Sequence, residues 1–152
     1  MNRFESWLAD AGIGIMIKQF PSGTRTAAEA ARAVGCEVEQ IVKSLVFVAA
    51  GRPVVALVSG ANRLDETLLA QVAGRPVTKA DAESVRTATG YAIGGVPPFG
   101  HATDVPVYMD RDLLTHKSVW AAAGRPDSVF EIEPERLRDL SHAVVADLKV
   151  VS

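Results

Sequence analysis

The chain has 152 residues, of which 48% are hydrophobic and 22% charged, and its formal net charge is −2 at pH 7. We expect one domain over residues 1–152, and the composition excludes a disordered tail, a collagen-like chain and a disulfide miniprotein. No apolar run approaches the roughly 18 residues that span a bilayer, and the N-terminus lacks a secretory signal pattern. The lone Cys36 cannot form an internal disulfide, so a cytoplasmic location is expected.

The charge is nearly balanced along the chain. Residues 1–76 contain eight basic and seven acidic groups (+1), and residues 77–152 contain eight basic and eleven acidic groups (−3). A protein that wraps duplex nucleic acid needs a strongly basic face, so duplex DNA is not an expected partner. Contact with only the end of a nucleic acid needs few phosphate contacts and is compatible with this charge.

Periodicity and capping residues predict alternating helices and strands in the first third of the chain. Apolar residues recur at helical spacing before Gly12, and Thr26 has capping-box spacing to Glu29. Gly35 is a helix stop signal. The predicted elements are a helix over 4–12, a strand over 13–20, a turn over 21–23, a helix over 26–35 and a helical turn over 37–42.

The rest of the chain predicts a buried hairpin followed by shorter elements. Two apolar, β-branched runs are joined by a turn over 51–53, and Asp65 and Asp81 are N-cap candidates. The elements are strands over 43–49 and 54–58, helices over 65–73 and 81–89, strands over 105–109, 119–122 and 129–132, a helix over 134–140 and a strand over 143–148. This order predicts an α+β fold in which helices flank a mixed, mostly antiparallel β-sheet.

A glycine- and proline-rich segment over 94–101 is the first candidate site. Pro97 and Pro98 fix φ at about −65° and push the residues before them into extended conformations. Gly94 and Gly95 permit backbone angles closed to other residues and let a ligand approach. We therefore predict a stiff loop in which free amides at Gly94, Gly95 and Val96 face a ligand oxygen. A rigid turn without a ligand is the alternative, and spacing alone favours it.

Lys43 is the second candidate, because it lies where a helical turn meets the buried hairpin. A cation at the edge of an apolar sheet either extends to water or binds an anion. Its attraction for a phosphate at 4 Å is roughly 1 kcal/mol in water and about 4 kcal/mol at an effective dielectric constant of 20. Only a partly shielded cleft would make this lysine useful, and solvation is the commoner outcome for an isolated lysine.

The remaining polar residues form no recognisable catalytic pattern. His101, His116 and His142 have no cysteine or carboxylate at metal-ligand spacing, so neither a metal nor a cofactor is expected. His101 follows the proline pair and either faces the same cleft or lies on the surface. We interpret Cys36 as structural and the segment 110–112 as a solvated turn.

Three segments together resemble the YbaK/EbsC family, the free-standing relatives of the editing domain of bacterial prolyl-tRNA synthetases. These segments are 26–31, 40–47 and 89–98, and the resemblance extends from about residue 20 to residue 148. The Gly-x-x-x-Pro loop of that family falls on Gly94 and Pro98. Its functional lysine, which precedes a Ser/Thr-Leu strand, falls on Lys43.

The resemblance implies an aminoacyl-tRNA deacylase that hydrolyses the ester between a wrong amino acid and the terminal adenosine of tRNA. Lys43 and Gly94 are the implied catalytic residues, without metal or cofactor. The implied substrate-binding residues are Ser44, Gly95, Val96, Pro97, Pro98, Gly100 and His101. The expected partners are the aminoacyl-tRNA 3′ end and an aminoacyl-tRNA synthetase, with no membrane.

The expected substrates carry a small amino acid of the alanine, serine, threonine and cysteine class. Pro97, Pro98, Val46 and Ile93 would form the narrow wall that selects by size. In members directed to cysteine, serine stands at the position of Pro97 and glutamine at that of His101. These departures, and the absence of an obvious general base, leave two alternatives: a non-catalytic module that binds nucleotides or CCA ends, and a synthetase-associated partner.

Overall fold

The computed structural model describes residues 2–20 and 26–151. The helices of this part are α1 (Arg3–Ala11), α2 (Ala27–Val34), α3 (Glu66–Ala73), α4 (Ala82–Thr89) and α5 (Pro134–Ser141). The strands are β1 (Ile17–Gln19), β2 (Val42–Ala49), β3 (Arg52–Ser59), β4 (Val77–Lys79), β5 (Val107–Asp110), β6 (Val119–Ala122), β7 (Ser128–Ile132) and β8 (Val144–Ala146). Short 3₁₀ segments cover Val38–Gln40 and Arg111–Thr115. None of the described helices is long and apolar enough to cross a bilayer.

Two sheets form the framework, whereas the sequence predicted one. The larger has the strand order β4-β2-β3-β5-β8, and the smaller has the order β1-β7-β6. The pairs β4–β2, β2–β3, β1–β7 and β7–β6 are antiparallel, whereas β3–β5 and β5–β8 are parallel. The predicted α+β class with mostly antiparallel pairing is therefore confirmed. A parallel bridge between Ile41 and Trp120 connects the start of β2 to β6 of the smaller sheet.

The β2–β3 hairpin is buried on both faces, as predicted. Val55 and Leu57 pack into a core cluster that extends to helix α1, and Ala56 belongs to the cluster beneath α3. The hairpin turn, however, consists of Ala50 and Gly51, both with positive φ, and the strands pair from Ala49 opposite Arg52 onward. The prediction of a turn over 51–53 is wrong, because this two-residue turn already matches the twist of the strands.

Three helices begin and end where the sequence predicted. Thr26, Asp65 and Asp81 each accept a hydrogen bond from a backbone N–H in the first turn of α2, α3 and α4. Gly35, Gly74 and Gly90 follow these helices in the left-handed conformation. These contacts are local in sequence, so the helix ends are readable from the residue pattern.

Several predicted elements are shorter or different in the structure. The strand predicted over 13–20 is shorter in the structure: Ile17–Gln19 pairs with residues 128–130 of β7, and the Phe20 amide donates one further hydrogen bond to the carbonyl of Asp127. The turn predicted over 21–23 lies outside the described residues. Asp110 is not part of a solvated turn, since it is 1% exposed and accepts a 2.7 Å hydrogen bond from the amide of Leu148. Strand β4 was not predicted, because Val77–Lys79 has a single apolar residue and no alternating pattern.

Gly60 joins β3 to the loop that leads toward α3. A Cβ atom at this position would lie 2.7 Å from the carbonyl oxygen of Val38 and 2.8 Å from Cβ of Ala27. The Gly60 amide also donates a 2.7 Å hydrogen bond to the carbonyl of Ile41. Close packing at this glycine thus holds the start of β2 against the end of β3.

We expect Gly60→Ala to destabilise the protein by about 1–3 kcal/mol, because backbone and helix α2 must move to accept the methyl group. Gly14→Ala is the matched control, since a Cβ there has no atom within 4 Å and the residue does not have positive φ. Urea denaturation measures both. Equal unfolding midpoints for the two variants would contradict this packing argument.

Candidate active site

Lys43 is the second residue of β2, and its side chain is half-buried at the end of the larger sheet. Its Nζ donates a hydrogen bond to the backbone carbonyl of Asn62. Burial lowers the pKa of the Lys43 amine below its ordinary value of 10.5. The ammonium group therefore lies in the kind of partly shielded environment in which its attraction for an anion is strengthened.

The loop after α4 approaches Lys43 through its glycines. Gly94 has φ of 92° and is exposed, whereas Gly95 is buried. A Cβ on Gly95 would lie 2.9 Å from Cα of Arg125 and 3.0 Å from the carbonyl oxygen of Gly124. Glycine at position 95 therefore lets this loop pack directly on the backbone between β6 and β7.

The amides of this loop differ from the prediction at one position. The Gly95 amide is not free, since it donates a 3.0 Å hydrogen bond to the carbonyl of Ala92. Within the described part of the chain, the amides of Gly94 and Val96 donate to no protein acceptor. Two of the three predicted donors are thus without a protein partner.

Two adjoining cavities, of ≈ 250 Å³ and ≈ 360 Å³, meet between Lys43 and the glycine loop. We call them the first and the second cavity. The residues that line both are Lys43, Ser44, Leu45, Ile93, Gly94 and Val96. The tertiary structure thus brings the two candidate sites of the sequence together across one opening.

The two cavities differ in the side chains that complete them. Arg63, Glu66 and Lys79 line the first cavity, together with Val46 and other apolar residues. Mostly apolar side chains complete the second cavity, including those of Ala27, Ala30, Trp120, Ala121 and Val129. The first cavity therefore has more charged groups on its wall, whereas the second is mostly apolar and adds the hydroxyl residues Thr26 and Ser128.

The remaining predicted site residues, in the second half of the glycine–proline segment, lie away from the two cavities. Pro97 and Pro98 are buried and line neither cavity. Gly100 and His101 line a separate cavity with Arg3 and Trp7 of helix α1. The structure therefore does not bring these four residues into the opening beside Lys43.

Side-chain contacts behind the loop fix its course. Tyr91 Oη donates a 2.8 Å hydrogen bond to the carbonyl of Gly100, and His101 Nε2 lies 2.7 Å from the carbonyl oxygen of Pro97. The Phe99 ring packs on Phe4, Trp7 and Phe130 at centroid distances of 5.4–5.7 Å. Burial lowers the pKa of His101 below its ordinary 6.5, although the Pro97 carbonyl opposes this shift.

Ser44 contributes a hydroxyl group without a partner. Its Oγ is buried and forms no hydrogen bond in the described structure, although the residue lines both cavities. A buried polar group left unpaired costs about 1–3 kcal/mol, so such groups are usually satisfied. A polar atom of a bound ligand would remove this cost.

Sequence reasoning missed the residues that hold Lys43 and complete the cavities. The backbone carbonyl of Asn62 accepts the hydrogen bond from Lys43 Nζ. The Asn62 side chain is itself held by Asp112, since its Nδ2 donates a 2.9 Å hydrogen bond to that carboxylate. Asp112 also forms an ion pair with Lys149 at 2.8 Å. A backbone acceptor leaves no signal in the residue type. Arg63 and Lys79 also lack a motif, because their position depends on how α3 and β4 pack.

Acid–base groups are few at this site. Of the described residues lining the two cavities, Glu66 is the one carboxylate, and none is a histidine. The described residues also contain no group of three His, Cys, Asp or Glu side chains placed to hold a metal ion. The chemistry available from these side chains is positive charge and hydrogen-bond donation.

A sequence profile of the aminoacyl-tRNA editing domain matches residues 21–140. The chain therefore belongs to the family of aminoacyl-tRNA editing domains, which confirms the family predicted from the sequence.

Related proteins agree with this assignment. The chain is 32% identical to the uncharacterised protein YwhH of Bacillus subtilis (strain 168), over 85% of this chain and 83% of YwhH. It is 33% identical to the proline–tRNA ligase of Maridesulfovibrio salexigens, over 86% of this chain but only 22% of the ligase. A crystal structure of a candidate trans-editing enzyme for prolyl tRNA synthetase superimposes with a TM-score of 0.93 at 49% identity, covering 98% of this chain and 96% of that one.

The lowered pKa of His101 makes a prediction about stability. Because the folded state resists protonation of this ring, stability is fully present above pH 6.5 and falls as the pH drops from 6.5 toward the lower folded-state pKa. We expect His101→Gln to lose less stability than the wild type between pH 7 and pH 5. Urea denaturation at both pH values measures the difference.

Tyr91→Phe serves as the control for this measurement, since it removes the hydrogen bond to Gly100 in the same loop but changes no group that titrates between pH 5 and pH 7. This variant should keep the wild-type loss of stability on acidification. An identical loss in His101→Gln and the wild type would show that the His101 ring does not resist protonation in the fold.

Proposed function

We propose that the protein is a trans-editing deacylase that hydrolyses the ester between a small, wrongly attached amino acid and the 3′-terminal adenosine of tRNA. The observation that carries this proposal is the shared opening in which Lys43 faces the backbone of Gly94 and Val96. Membership of the editing-domain family supports the substrate class, an aminoacyl-tRNA.

Lys43 supplies the positive charge of the proposed site. Its ammonium group binds a phosphate or the terminal ribose of the tRNA, exchanging its present bond to the Asn62 carbonyl for one to the substrate. The apolar surroundings that lower its pKa also strengthen this attraction relative to bulk water. The 3′ end is thereby held with its ester over the glycine loop.

The free amides of Gly94 and Val96 supply the second function, stabilisation of the reacting carbonyl. Water adds to the ester carbon, and the carbonyl oxygen becomes negatively charged. A preorganised amide aimed at such an oxygen typically contributes about 2.7–4 kcal/mol to catalysis. The bond to the ribose oxygen then breaks, a proton from the water passes to that oxygen, and the amino acid leaves.

Few acid–base groups are needed for this reaction. An aminoacyl ester is already labile, so placement of the water and of the ester contributes more than a strong base would. The neighbouring hydroxyl of the terminal ribose is suited to position the water. The scarcity of histidine and carboxylate groups in the two cavities is consistent with ester hydrolysis and less suited to amide hydrolysis.

Selection by size completes the proposal. The second cavity, of ≈ 360 Å³, has room for a small aminoacyl group, and Trp120 and Val129 border it. A synthetase discriminates a missing methylene by only about 1–3 kcal/mol, so a second site that admits small amino acids corrects its errors. We propose alanyl, seryl, threonyl and cysteinyl esters as substrates, and a synthetase as the partner that supplies the charged tRNA.

Deacylation of alanyl-, seryl-, threonyl- and cysteinyl-tRNA, assayed side by side at fixed salt, tests the proposal. Release of at least one amino acid well above the spontaneous rate is the expected result. Saturable binding of a CCA end with no release from any of the four would contradict the enzyme. It would support the alternative of a binding module, with which the absence of a histidine among the described lining residues is also consistent.

Replacing Lys43 tests the lysine directly. We expect Lys43→Ala to lower kcat/KM for deacylation about a hundredfold, since a shielded ammonium–phosphate contact at 4 Å contributes roughly 4 kcal/mol before desolvation costs. Lys117→Ala, an exposed lysine outside both cavities, should behave like the wild type. Single-turnover rates with radiolabelled aminoacyl-tRNA provide the measurement, and an unimpaired Lys43→Ala would remove this residue from the site.

Gly94→Ala tests the loop backbone, with Gly12→Ala as a matched control. Both glycines have positive φ (92° and 70°), and a Cβ at either position has no contact closer than 3.8 Å. Each alanine should cost about 1–3 kcal/mol through backbone strain. Only Gly94→Ala should lower the deacylation rate, by at least tenfold, and equal activity of the two variants would argue against a reacting carbonyl at this loop.

A further inference from the structure

The face of the larger sheet beneath α3 carries cations at both ends of the hairpin. Lys43, Phe47 and Ala49 alternate along β2 and therefore point to one face. Lys79 pairs with Phe47, and Arg52 pairs with Ala49, so both share that face. This is the face of the core cluster that contains Leu69 of α3.

Surface depressions connect these cations beside α3. The first cavity, lined by Lys43, Arg63 and Lys79, shares Glu66 with a groove between α3 and β4. That groove shares Arg75 with a depression that Arg52 and Tyr108 also line. We call this row of adjoining depressions, from Lys43 to Arg52, the basic groove.

The cations of the basic groove are not neutralised by the protein. In the described part of the chain, the side chains of Arg52, Arg63, Arg75 and Lys79 form no ion pair and no hydrogen bond. Lys43 is bound only to a carbonyl oxygen. The basic groove thus concentrates five positive charges in a chain whose net charge is −2, with Glu66 as the opposing carboxylate.

The length of the basic groove suits an extended polyanion. Six residue steps of β2 separate Lys43 from Ala49, the partner of Arg52, which corresponds to about 20 Å along the strand. Cations spaced over that distance can contact several consecutive phosphates of a strand, whereas a single mononucleotide would occupy only the end at Lys43. Exposed arginines on such a path are suited to phosphate oxygens, because their guanidinium groups bind them in a bidentate manner.

We propose that the basic groove carries the sugar–phosphate backbone of the tRNA acceptor end as it leaves the cavity at Lys43. This inference rests on the proposed function, because it takes the 3′ terminus to lie at Lys43. It places Arg52 and Arg75 in contact with phosphates remote from the reacting ester. These contacts secure the acceptor strand without regard to its sequence.

Binding of uncharged tRNA tests the basic groove without any need for turnover. We expect the double variant Arg52→Gln/Arg75→Gln to bind tRNA about tenfold more weakly at 0.1 M salt, as judged by fluorescence anisotropy. The slope of log Kobs against log salt should fall in magnitude by about 1.4, since each phosphate of a single strand contributes about 0.7. Arg86→Gln/Arg136→Gln, on the exposed faces of α4 and α5 and outside the groove, removes the same number of charges and is the matched control.

Glu66→Gln provides a test of opposite sign. Removal of the carboxylate at the junction of the first cavity and the groove should tighten tRNA binding about two- to threefold.

In the deacylation assay, the ratio of kcat/KM for aminoacyl-tRNA to that for an aminoacyl-adenosine should fall about tenfold in Arg52→Gln/Arg75→Gln. That ratio separates distant phosphate contacts from effects on the ester.

The outcomes distinguish this inference from the proposed function. No deacylation by the wild type would contradict the proposed function. The binding constants and salt slopes would still show whether tRNA binds in the basic groove. Unchanged tRNA affinity and an unchanged salt slope in the double variant would overturn the proposal that tRNA binds in the basic groove, even if the enzyme is active. Binding of an acidic polypeptide at the same arginines, with no competition from tRNA, would also overturn it.

Discussion

The close approach of the Gly95 backbone to residues 124–125 is the contact on which the site depends. A single Cβ at this position would meet Arg125 Cα at 2.9 Å, so only glycine permits the two chain segments to lie this close. The contact places the loop after α4 at the end of the smaller sheet, where β6 adjoins the start of β2 through the Ile41–Trp120 bridge. The glycine loop and Lys43 consequently share an opening, although fifty residues separate them in sequence.

The two sides of this opening are held by different interactions. The loop is fixed from behind by the Tyr91–Gly100 and His101–Pro97 contacts and by the packing of Phe99, none of which occupies the cavities. Lys43 is held by a neutral carbonyl, not by a carboxylate. A loop fixed from behind therefore adjoins a cation that has no carboxylate partner among the described residues, and this combination favours an anionic or strongly polar ligand.

The net charge of this chain does not show how its cations are distributed over the surface. The balance of −2 excludes a basic surface over the whole molecule, yet the register of β2 with β3 and β4 collects cations on one face. Because screening limits interactions between exposed charges to about 10 Å at 0.1 M ionic strength, the local arrangement matters more than the total. Family membership identifies an aminoacyl-tRNA editing domain, whereas cross-strand pairing collects the cations that we propose as contacts for the tRNA strand.

The sequence alone determined the features that depend on neighbours within one turn or one strand: the caps at Thr26, Asp65 and Asp81, the buried hairpin and the α+β class. Its motifs also singled out Lys43 and the glycine–proline loop. Only the tertiary structure decided the division into two sheets, the engaged amide of Gly95 and the separation of His101 from the cavities, because each arises from contacts between distant segments. A residue's type shows which bonds it can form, but the packing of distant elements decides which partner is within reach.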